Sequence, residues 1–365
     1  MKRLLFLINN LSGGGAEKVL IDTVNALAND GYDVTLQTIT NKNVFEDRIS
    51  NHVKYKTIVP FKNSLLSRAF SYMINFIIPP SITHKLFIGN KYDYEIAFLE
   101  GVPTKLIAEA KTVKYAWVHI DLYNTFGLEK VHSNMDKHIN CYKKYDKIIC
   151  VSRNVRDMFI KRFGIFEKTE VVYNILDTEL IFRKSHELTA KSNRFSIVTV
   201  GRIEYQKGFD RLIKIHKRLI DEGIEHELVI VGDGSQRAEL EKYAKVNNLS
   251  DCTVFVGFTD NPYKYMKNAD LIVFPSRAEG YSTVATEALI LGKPIVVSDC
   301  AGMREIFGDS EYGLVAINTD ESIYECVKHM LLDKNVREYY AKQAKIRSSD
   351  FELRSRLDKL EELFK

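Results

Sequence analysis

Two cationic side chains, Arg202 and Lys207, lie five residues apart in the segment GRIEYQKG (201–208). The segment follows an apolar run and precedes a helical pattern that begins at 209, so we expect a turn between a strand and a helix. On such a turn both side chains can point into one pocket, where the arginine fork and the lysine ammonium suit the oxygens of a phosphate. The alternative is a solvated basic turn, because charged pairs at turns are common.

Two carboxylates frame a second segment, EGYSTVATE (279–287), which follows a buried strand predicted to end near 275. A helix is predicted to begin near Ser282, which places the backbone N–H groups of residues 280–283 at a helix N-terminus, where an anion can bind. Glu279 lies just before this helix, and the helix dipole alone would favour a carboxylate there. Glu287 lies more than one turn inside a helix rich in Ala, Val and Leu, so the dipole does not account for it. Both carboxylates can accept hydrogen bonds from sugar hydroxyl groups.

The turn after the first predicted strand and one strand end are weaker candidates. The segment LSGGGAE (11–17) permits a tight turn with close backbone approach, and a plain turn is its alternative. It does not match G-x-G-x-x-G, so a dinucleotide site is weakly supported. His119 and Asp121 come at the end of the apolar run 115–120. A lone histidine is more often structural than catalytic, so both readings of His119 stay open at this point.

The elements that must position these residues follow one rhythm, in which short apolar runs alternate with amphipathic helical patterns. We predict strands at 4–8, 34–39, 95–99, 115–120, 147–152, 195–201, 228–231, 253–256, 271–275, 295–298 and 314–317. This alternation is typical of α/β proteins with parallel sheets covered by helices on both faces. We expect two Rossmann-like, doubly wound sheets that face a central cleft at the carboxyl ends of their strands.

The predicted domain boundary is a polar segment without apolar periodicity. We assign 1–183 to an N-terminal domain, 184–194 to a linker and 195–347 to a C-terminal domain. Residues 1–195 hold 28 Lys and Arg against 20 Asp and Glu, a net charge of +8, whereas residues 196–365 hold 24 against 28, a net charge of −4. The two domains are therefore expected to have different partners, and a nucleic acid or an anionic membrane suits the basic half in principle.

The cationic turn and the Glu-x7-Glu segment about 70 residues later together resemble the retaining GT-B glycosyltransferases of family 4. The similarity continues through Gly232-Asp233-Gly234 and Gly257-Phe258, covers essentially the whole chain and is strongest over 195–320. It implies transfer of a hexose or N-acetylhexosamine from a UDP-sugar to a saccharide acceptor. It also implies that the C-terminal segment 348–365 crosses back to the N-terminal domain.

The resemblance assigns roles to individual residues. It implies donor contacts from Gly14, Gly15, Arg202, Lys207, Phe258, Glu279, Gly280, Tyr281, Ser282, Thr283 and Glu287. The two cations would neutralise the diphosphate and stabilise the leaving nucleotide, and Glu287 would hold the ribose. Glu279 would contact the transferred sugar or its anomeric region. His119 would make a polar contact at the reaction centre, and Asp121 would bind the acceptor.

Several absences in the sequence shape the remaining expectations. There is no Asp-x-Asp or His-x-x-x-His, so we expect transfer without a metal ion or other cofactor, with the cations and a helix N-terminus supplying positive charge. The five cysteines have no metal-ligand spacing and are expected to be free thiols in a reducing compartment. No signal peptide or membrane-spanning run is recognisable, so we expect a cytoplasmic protein.

The sequence indicates less about the acceptor than about the donor. The apolar-rich segment 64–78, flanked by Lys62, Arg68 and Lys85, is interpreted either as a buried helix or as an interfacial anchor at an anionic membrane. The second reading fits a lipid-linked acceptor in bacterial surface-polysaccharide assembly, with peripheral contact at the inner face of the plasma membrane.

Other functions remain as alternatives to a glycosyltransferase. They are a GT-B sugar-nucleotide epimerase, a phosphorylase, and a non-enzymatic module that binds membrane or nucleic acid. The acidic C-terminal half, and the lack of basic stretches interleaved with aromatic residues, argue against nucleic acid.

Overall fold

The computed structural model describes residues 1–62, 65–89, 91–125, 129–189 and 192–365. Its chain forms two compact units, one of Met1–Leu176 with Arg354–Lys365 and one of Asp177–Leu353. Each unit holds one sheet, and the paired strands in both sheets are parallel. The prediction of two Rossmann-like α/β domains is confirmed.

The first unit is built on a seven-stranded sheet of order β3-β2-β1-β4-β5-β6-β7. Its strands are β1 Arg3–Ile8, β2 Asp33–Thr40, β3 Lys54–Val59, β4 Tyr94–Ala97, β5 Val113–Val118, β6 Lys147–Cys150 and β7 Thr169–Val171. The central strand β1 is buried from its second residue onward, with Leu4 pairing to Val34 on one side and to Tyr94 on the other. The sequence analysis missed β3 and β7, which are the two edge strands of this sheet.

Helices cover this sheet and connect its strands. They are α1 Gly15–Asn29, α2 Leu65–Tyr72, α3 Pro80–Phe87, α4 Val102–Ile107, α5 Glu129–His132, α6 Met135–Lys143 and α7 Arg153–Phe163, with a π-helical turn at Met73–Ile77 and a 3₁₀ turn at Glu46–Arg48. Helix α7 shows why such elements form where they do. The Ser152 hydroxyl accepts a hydrogen bond from the Val155 N–H at its start, and Gly164 adopts a left-handed φ of 67° at its end.

The second unit is built on a six-stranded sheet of order β10-β9-β8-β11-β12-β13. Its strands are β8 Ser196–Val200, β9 Glu227–Val231, β10 Thr253–Gly257, β11 Leu271–Phe274, β12 Ile295–Ser298 and β13 Leu314–Ala316. All six were predicted, because each carries the nearly continuous apolar run that a sheet covered on both faces requires.

The helices of the second unit follow these strands in alternation. They are α8 Thr178–Ser185, α9 Phe209–Asp221, α10 Arg237–Val246, α11 Tyr263–Asn268, α12 Thr283–Ile290, α13 Met303–Phe307, α14 Asp320–Leu332 and α15 Lys334–Ser348, with 3₁₀ turns at Tyr205–Lys207 and Ser349–Phe351. The helical pattern predicted to begin at 209 corresponds to α9, and the helix predicted to begin near Ser282 corresponds to α12.

The division between the units lies earlier than the sequence suggested. The second unit begins at Asp177, whereas the predicted N-terminal domain extended to 183. Helix α8 packs against α11, and the Asn261 side-chain amide donates a hydrogen bond to the Lys184 carbonyl at 2.9 Å. These contacts attach 178–185 to the second unit. Residues 190 and 191 of the predicted linker lie outside the described part of the chain.

The C-terminal segment returns to the first unit from Arg354 onward, as the resemblance implied, whereas residues 348–353 of the predicted segment belong to the second unit. Its residues from Arg354 onward form most of helix α16 (Leu353–Glu361) and a final 3₁₀ turn. The ring of Phe364 lies 5.2 Å from that of Tyr94 and 6.0 Å from that of Tyr32, and the Tyr94 hydroxyl donates to the Phe364 carbonyl at 3.0 Å. Aromatic packing and a backbone hydrogen bond therefore attach the segment to the first sheet.

The apolar segment 64–78 is not a buried helix, so that interpretation is wrong. Residue 64 lies outside the described residues, and Leu65, Leu66, Phe76 and Ile77 are all more than half exposed. Across the described ranges, no helix is both long and apolar enough to cross a membrane. All five cysteines are free, as predicted.

Candidate active site

Two glycines allow loops at the carboxyl edge of the second sheet to approach each other closely. Gly208, at the end of the loop after β8, has a φ of 70°, and a Cβ on it would lie 2.1 Å from the Pro275 carbonyl oxygen. Gly302, before α13, has a φ of 76°, and a Cβ there would lie 2.1 Å from the Gly280 carbonyl oxygen. Any side chain at either position would push the loop after β11 away, so glycine sets the spacing of this site.

The close approach brings Lys207 and Glu279 into contact. The Lys207 Nζ lies 2.6 Å from Glu279 Oε1, and the Ser276 hydroxyl donates to the same oxygen at 2.7 Å. The two charged side chains are 19% and 9% exposed, so water screens the pair weakly. A lysine ammonium has three N–H donors, and this contact uses one of them.

Further side chains tie the two loops together. Arg277 makes two hydrogen bonds to the Asp210 carboxylate, at 2.7 and 2.8 Å, and its guanidinium lies 3.9 Å from the centre of the Tyr205 ring. The Gln206 side chain donates to the Ala278 carbonyl at 2.8 Å. Arg202, in contrast, is exposed beside this framework. The sequence analysis did not single out Arg277, because nothing in its local pattern shows that it bridges two loops.

The helix that follows Glu279 begins where it was predicted. Ser282 is the residue before α12, yet its side chain does not cap the helix, and its buried hydroxyl has no hydrogen-bond partner among the described residues. The first-turn N–H groups of α12 therefore lack the serine cap that often satisfies them. Tyr281 and Ser282 are buried, while Thr283 is half-buried. This end of α12 has the chemistry of an anion site.

Glu287 is buried on the same helix, at 2% exposure. Its Oε1 lies 3.5 Å from the hydroxyl of Tyr263, which comes from α11 and is itself buried. Tyr263 is a second residue that sequence reasoning missed, since only folding brings α11 beside α12. A buried carboxylate next to a hydroxyl suits the recognition of vicinal hydroxyl groups.

Two further residues border this region. Phe258, directly after β10, is 52% exposed, so its ring is available to a ligand. Burial and the nearby Glu279 carboxylate raise the pKa of the Cys300 thiol to about 12. Cys300 is therefore a protonated thiol at neutral pH rather than a nucleophile.

In the first unit, His119 lies one residue beyond the end of β5. Its backbone N–H and that of Ile120 donate to Glu100 Oε1 at 2.6 and 3.2 Å. The His119 ring packs 4.6 Å from that of Phe98, and its buried Nε2 has no hydrogen-bond partner within the described ranges. Burial lowers the pKa of His119 to about 3 and raises that of Glu100 to about 7. His119 is thus a neutral imidazole at physiological pH, able to make a polar contact.

Glu100 was not a candidate in the sequence analysis. It follows β4 and fixes the backbone after β5, a neighbouring strand in the sheet. The Glu100 side chain therefore joins two neighbouring strand ends at the carboxyl edge of the first sheet. A polar residue just after a predicted strand was the signal that could have identified it.

The remaining predicted positions have local roles in the structure. Gly14 precedes α1, and a Cβ on it would lie 2.2 Å from Glu17 Oε2, so the Glu17 carboxylate lies over this glycine while Gly15 is exposed. The Asp121 carboxylate accepts hydrogen bonds from the Tyr123 and Asn124 N–H groups at 2.9 and 3.1 Å. Ligand contacts at these three positions stay predictions. In the described part of the chain no group of three or more His, Cys, Asp or Glu is arranged to hold a metal ion.

Comparison with known proteins gives two family matches that follow one another along the chain. Residues 13–180 match the family described as Glycosyltransferase Family 4, and residues 181–347 match Glycosyl transferases group 1. Among curated proteins, the chain is 36% identical over 214 residues to the N-acetylgalactosamine-N,N'-diacetylbacillosaminyl-diphospho-undecaprenol 4-alpha-N-acetylgalactosaminyltransferase of Campylobacter jejuni, a match that covers 58% of each protein. It is 25% identical to the amylovoran biosynthesis glycosyltransferase AmsD of Erwinia amylovora, over 96% of both chains.

Solved structures show the same fold. The Anabaena protein HepE in complex with UDP-glucose superimposes with a TM-score of 0.80 over 100% of this chain and 99% of that one, at 21% identity. WaaG, a glycosyltransferase involved in lipopolysaccharide biosynthesis, superimposes with a TM-score of 0.70 over 98% of both chains.

Proposed function

Because the chain belongs to the GT-B glycosyltransferases of the family 4 type, we propose that it transfers a hexose or N-acetylhexosamine from a UDP-sugar to a saccharide acceptor with retention of anomeric configuration. The observation that carries this proposal is the partly buried contact between Lys207 and Glu279, the latter four residues before the first residue of α12. It combines a cation for a diphosphate, a carboxylate for sugar hydroxyls and helix N–H groups for phosphate oxygens.

The proposed reaction breaks the bond between the anomeric carbon and the diphosphate oxygen. The acceptor oxygen forms the new bond to that carbon on the same face, its proton passes to the departing diphosphate oxygen, and UDP leaves. Negative charge grows on the diphosphate as the bond breaks, so Lys207, Arg202 and the α12 N-terminus would act most strongly in the transition state. Lys207 keeps two N–H donors beyond its contact with Glu279, which supports this role.

Glu279 is assigned to binding the transferred sugar rather than to covalent attack. Lys207 and Ser276 both donate to its Oε1, which holds the carboxylate in one orientation. Mass spectrometry of the enzyme during turnover tests this point. A glycosyl group trapped on Glu279 would contradict the same-face route.

The acceptor is proposed to be a saccharide on a lipid carrier. The name of the Campylobacter relative describes a diphospho-undecaprenol-linked acceptor and an N-acetylgalactosaminyl donor group, and that protein is 36% identical over the matched 214 residues. We place the reaction in bacterial glycan assembly on this basis, at the cytoplasmic face of the membrane.

Donor binding is tested by calorimetric titration with UDP and GDP, and transfer is tested by steady-state kinetics with UDP-sugar. We expect Lys207→Ala to lower kcat/KM for UDP-sugar about 10²- to 10³-fold, and Glu287→Gln to weaken UDP binding about tenfold or more. The exposed Lys242→Ala on α10 is the matched control. UDP binding unchanged in both site variants would contradict the proposed donor site, and product formed by inversion or epimerisation of the sugar would contradict the proposed reaction.

Metal independence is a separate part of the proposal. The charges of Arg202, Lys207 and the α12 N-terminus support it, because they can replace a divalent cation at the diphosphate. Full transfer activity in excess chelator is the expected result. Activity lost in chelator and restored by manganese would overturn it.

A further inference from the structure

Helices α2 and α3 and the π-helical turn between them bury three polar side chains together with Ile74 and expose most of their large apolar ones. Ser67, Thr83 and His84 are 9%, 0% and 3% exposed. On the outer side, Leu65 and Leu66 are 84% and 65% exposed. A surface helix of a water-soluble domain normally has the opposite arrangement.

The exposed apolar side chains are concentrated in this part of the molecule. Nine of the 24 large apolar side chains that are exposed in the described residues lie between 61 and 86. They are Phe61, Leu65, Leu66, Tyr72, Met73, Phe76, Ile77, Ile82 and Leu86, which we call the apolar face. Single exposed apolar residues are ordinary, whereas a concentration of this kind marks an interaction site.

The apolar face is held by fixed contacts. The Phe70 and Phe87 rings pack edge to face at 6.1 Å and join α2 to α3. His84 Nε2 lies 2.7 Å from Glu95 Oε2 inside the unit, and the Lys105 ammonium donates to the Asn75 carbonyl at 2.8 Å. The exposure of the apolar face is therefore a property of packed helices.

The chain segment that carries the apolar face has charged side chains of one sign. Residues 48–92 contain seven Lys and Arg and no Asp or Glu. Lys62, Arg68, Lys85 and Lys91 are exposed beside the apolar side chains, and we call these four the basic rim. Apolar side chains bordered by cations match the boundary between acyl chains and anionic headgroups.

We propose that the apolar face and its basic rim dock onto an anionic phospholipid bilayer. The apolar side chains enter the boundary between headgroups and acyl chains, and the basic rim stays at the level of the lipid phosphates. A second copy of the chain is the less suitable occupant, because a two-fold contact through this face would bring two basic rims together. The inference rests on the proposed function for its purpose, since a lipid-linked acceptor lies at a bilayer, but it can be tested without any donor or acceptor.

The test is flotation of the full chain with phosphatidylglycerol-containing vesicles and with pure phosphatidylcholine vesicles. We expect partition onto the anionic vesicles and loss of most of it at about 1 M salt, where the Debye length falls to about 3 Å. The triple variant Leu66→Ser/Phe76→Ser/Ile77→Ser should bind these vesicles at least about tenfold more weakly. The matched control, Val246→Ser/Ile317→Ser/Leu332→Ser, changes three side chains of similar exposure in the second unit and should bind like the parent.

A charge variant gives an independent readout if the triple variant folds poorly. Arg68→Glu/Lys85→Glu should lose anionic-vesicle binding at low salt, whereas Lys242→Glu/Lys245→Glu on α10 should keep it. Absence of wild-type binding to anionic vesicles overturns the proposal. Binding that survives in both the triple apolar-face variant and the double basic-rim variant overturns it as well. Self-association that the triple variant abolishes, without vesicle binding, assigns the face to a second copy instead. UDP titration without vesicles separates each of these outcomes from failure of the proposed transferase function.

Discussion

Two carboxyl groups at the strand ends have opposite surroundings. Glu279 accepts hydrogen bonds from the Lys207 ammonium and the Ser276 hydroxyl. Glu100 is buried and accepts hydrogen bonds from the His119 and Ile120 backbone N–H groups, and burial raises its pKa to about 7 from an ordinary value of 4.5. Its neutral form is therefore favoured in the folded protein below about pH 7.

This difference predicts a pH effect on the first unit. Because the pKa of Glu100 is higher in the folded state, its contribution to stability is fully present below about pH 4.5 and is lost as the pH rises through 7. Glu100→Gln cannot titrate, so its unfolding free energy should rise relative to wild type by on the order of 2–3 kcal/mol between pH 5 and 8. Trp117, the only tryptophan of the chain, is buried in β5 and reports this unfolding by fluorescence. A difference that stays constant across this pH range would contradict the assignment.

The site residues that sequence reasoning identified share one property, which is that their spacing along the chain carries the signal. Glu279 and Glu287 lie in one strand-end segment and its helix, so the local pattern placed both in one candidate segment and the family resemblance supplied their expected roles. Tyr263 and Glu100 act from other elements, and only the packing of neighbouring helices and strands gives them a role. Such contacts cannot be read from local pattern.

At the scale of elements, the two sheets differ in how completely their strands were predicted from the sequence. The six strands of the second unit were all predicted from apolar runs. The missed strands β3 and β7 lie at the edges of the first sheet, where exposed and half-buried residues alternate from Lys54 to Thr57 and all three residues of Thr169–Val171 are half-buried. An edge strand needs apolar residues on fewer sides, so its sequence carries a weaker signal.

The loops of the donor site depend on one glycine in particular. Gly208→Ala should reduce stability by about 1–3 kcal/mol and weaken UDP binding at least about tenfold, because the new Cβ meets the Pro275 carbonyl and displaces Lys207. Gly223→Ala is the control, since Gly223 has a similar φ of 80° but no atom within 4 Å of its Cβ position. It should lose stability from backbone strain alone and keep UDP affinity, as measured by thermal unfolding and calorimetry. Equal UDP affinity in the two variants would show that the close approach does not position the site.

At the scale of the whole molecule, the first unit depends on a segment that is distant in sequence. Phe364 is 1% exposed and packs among the rings of Tyr32, Tyr94 and Tyr115. Phe364→Ala should destabilise this unit by about 3–5 kcal/mol, the usual cost of removing a buried aromatic ring. Denaturation followed by Trp117 fluorescence measures the effect, and the exposed Lys365→Ala serves as control. A loss below about 1 kcal/mol would mean that the tail is only loosely attached.

The return of the C-terminal segment also constrains the order of events during synthesis. The second unit is continuous from Asp177 to Leu353, whereas the first consists of Met1–Leu176 and Arg354–Lys365. At about 5–20 residues per second, a ribosome needs roughly 10–40 s after Leu176 to deliver the last pieces of the first unit. Throughout that interval the nascent first unit lacks the aromatic ring that covers Tyr32, Tyr94 and Tyr115. The part of the chain that is made first is thus completed last, and chaperones have that interval in which to engage it.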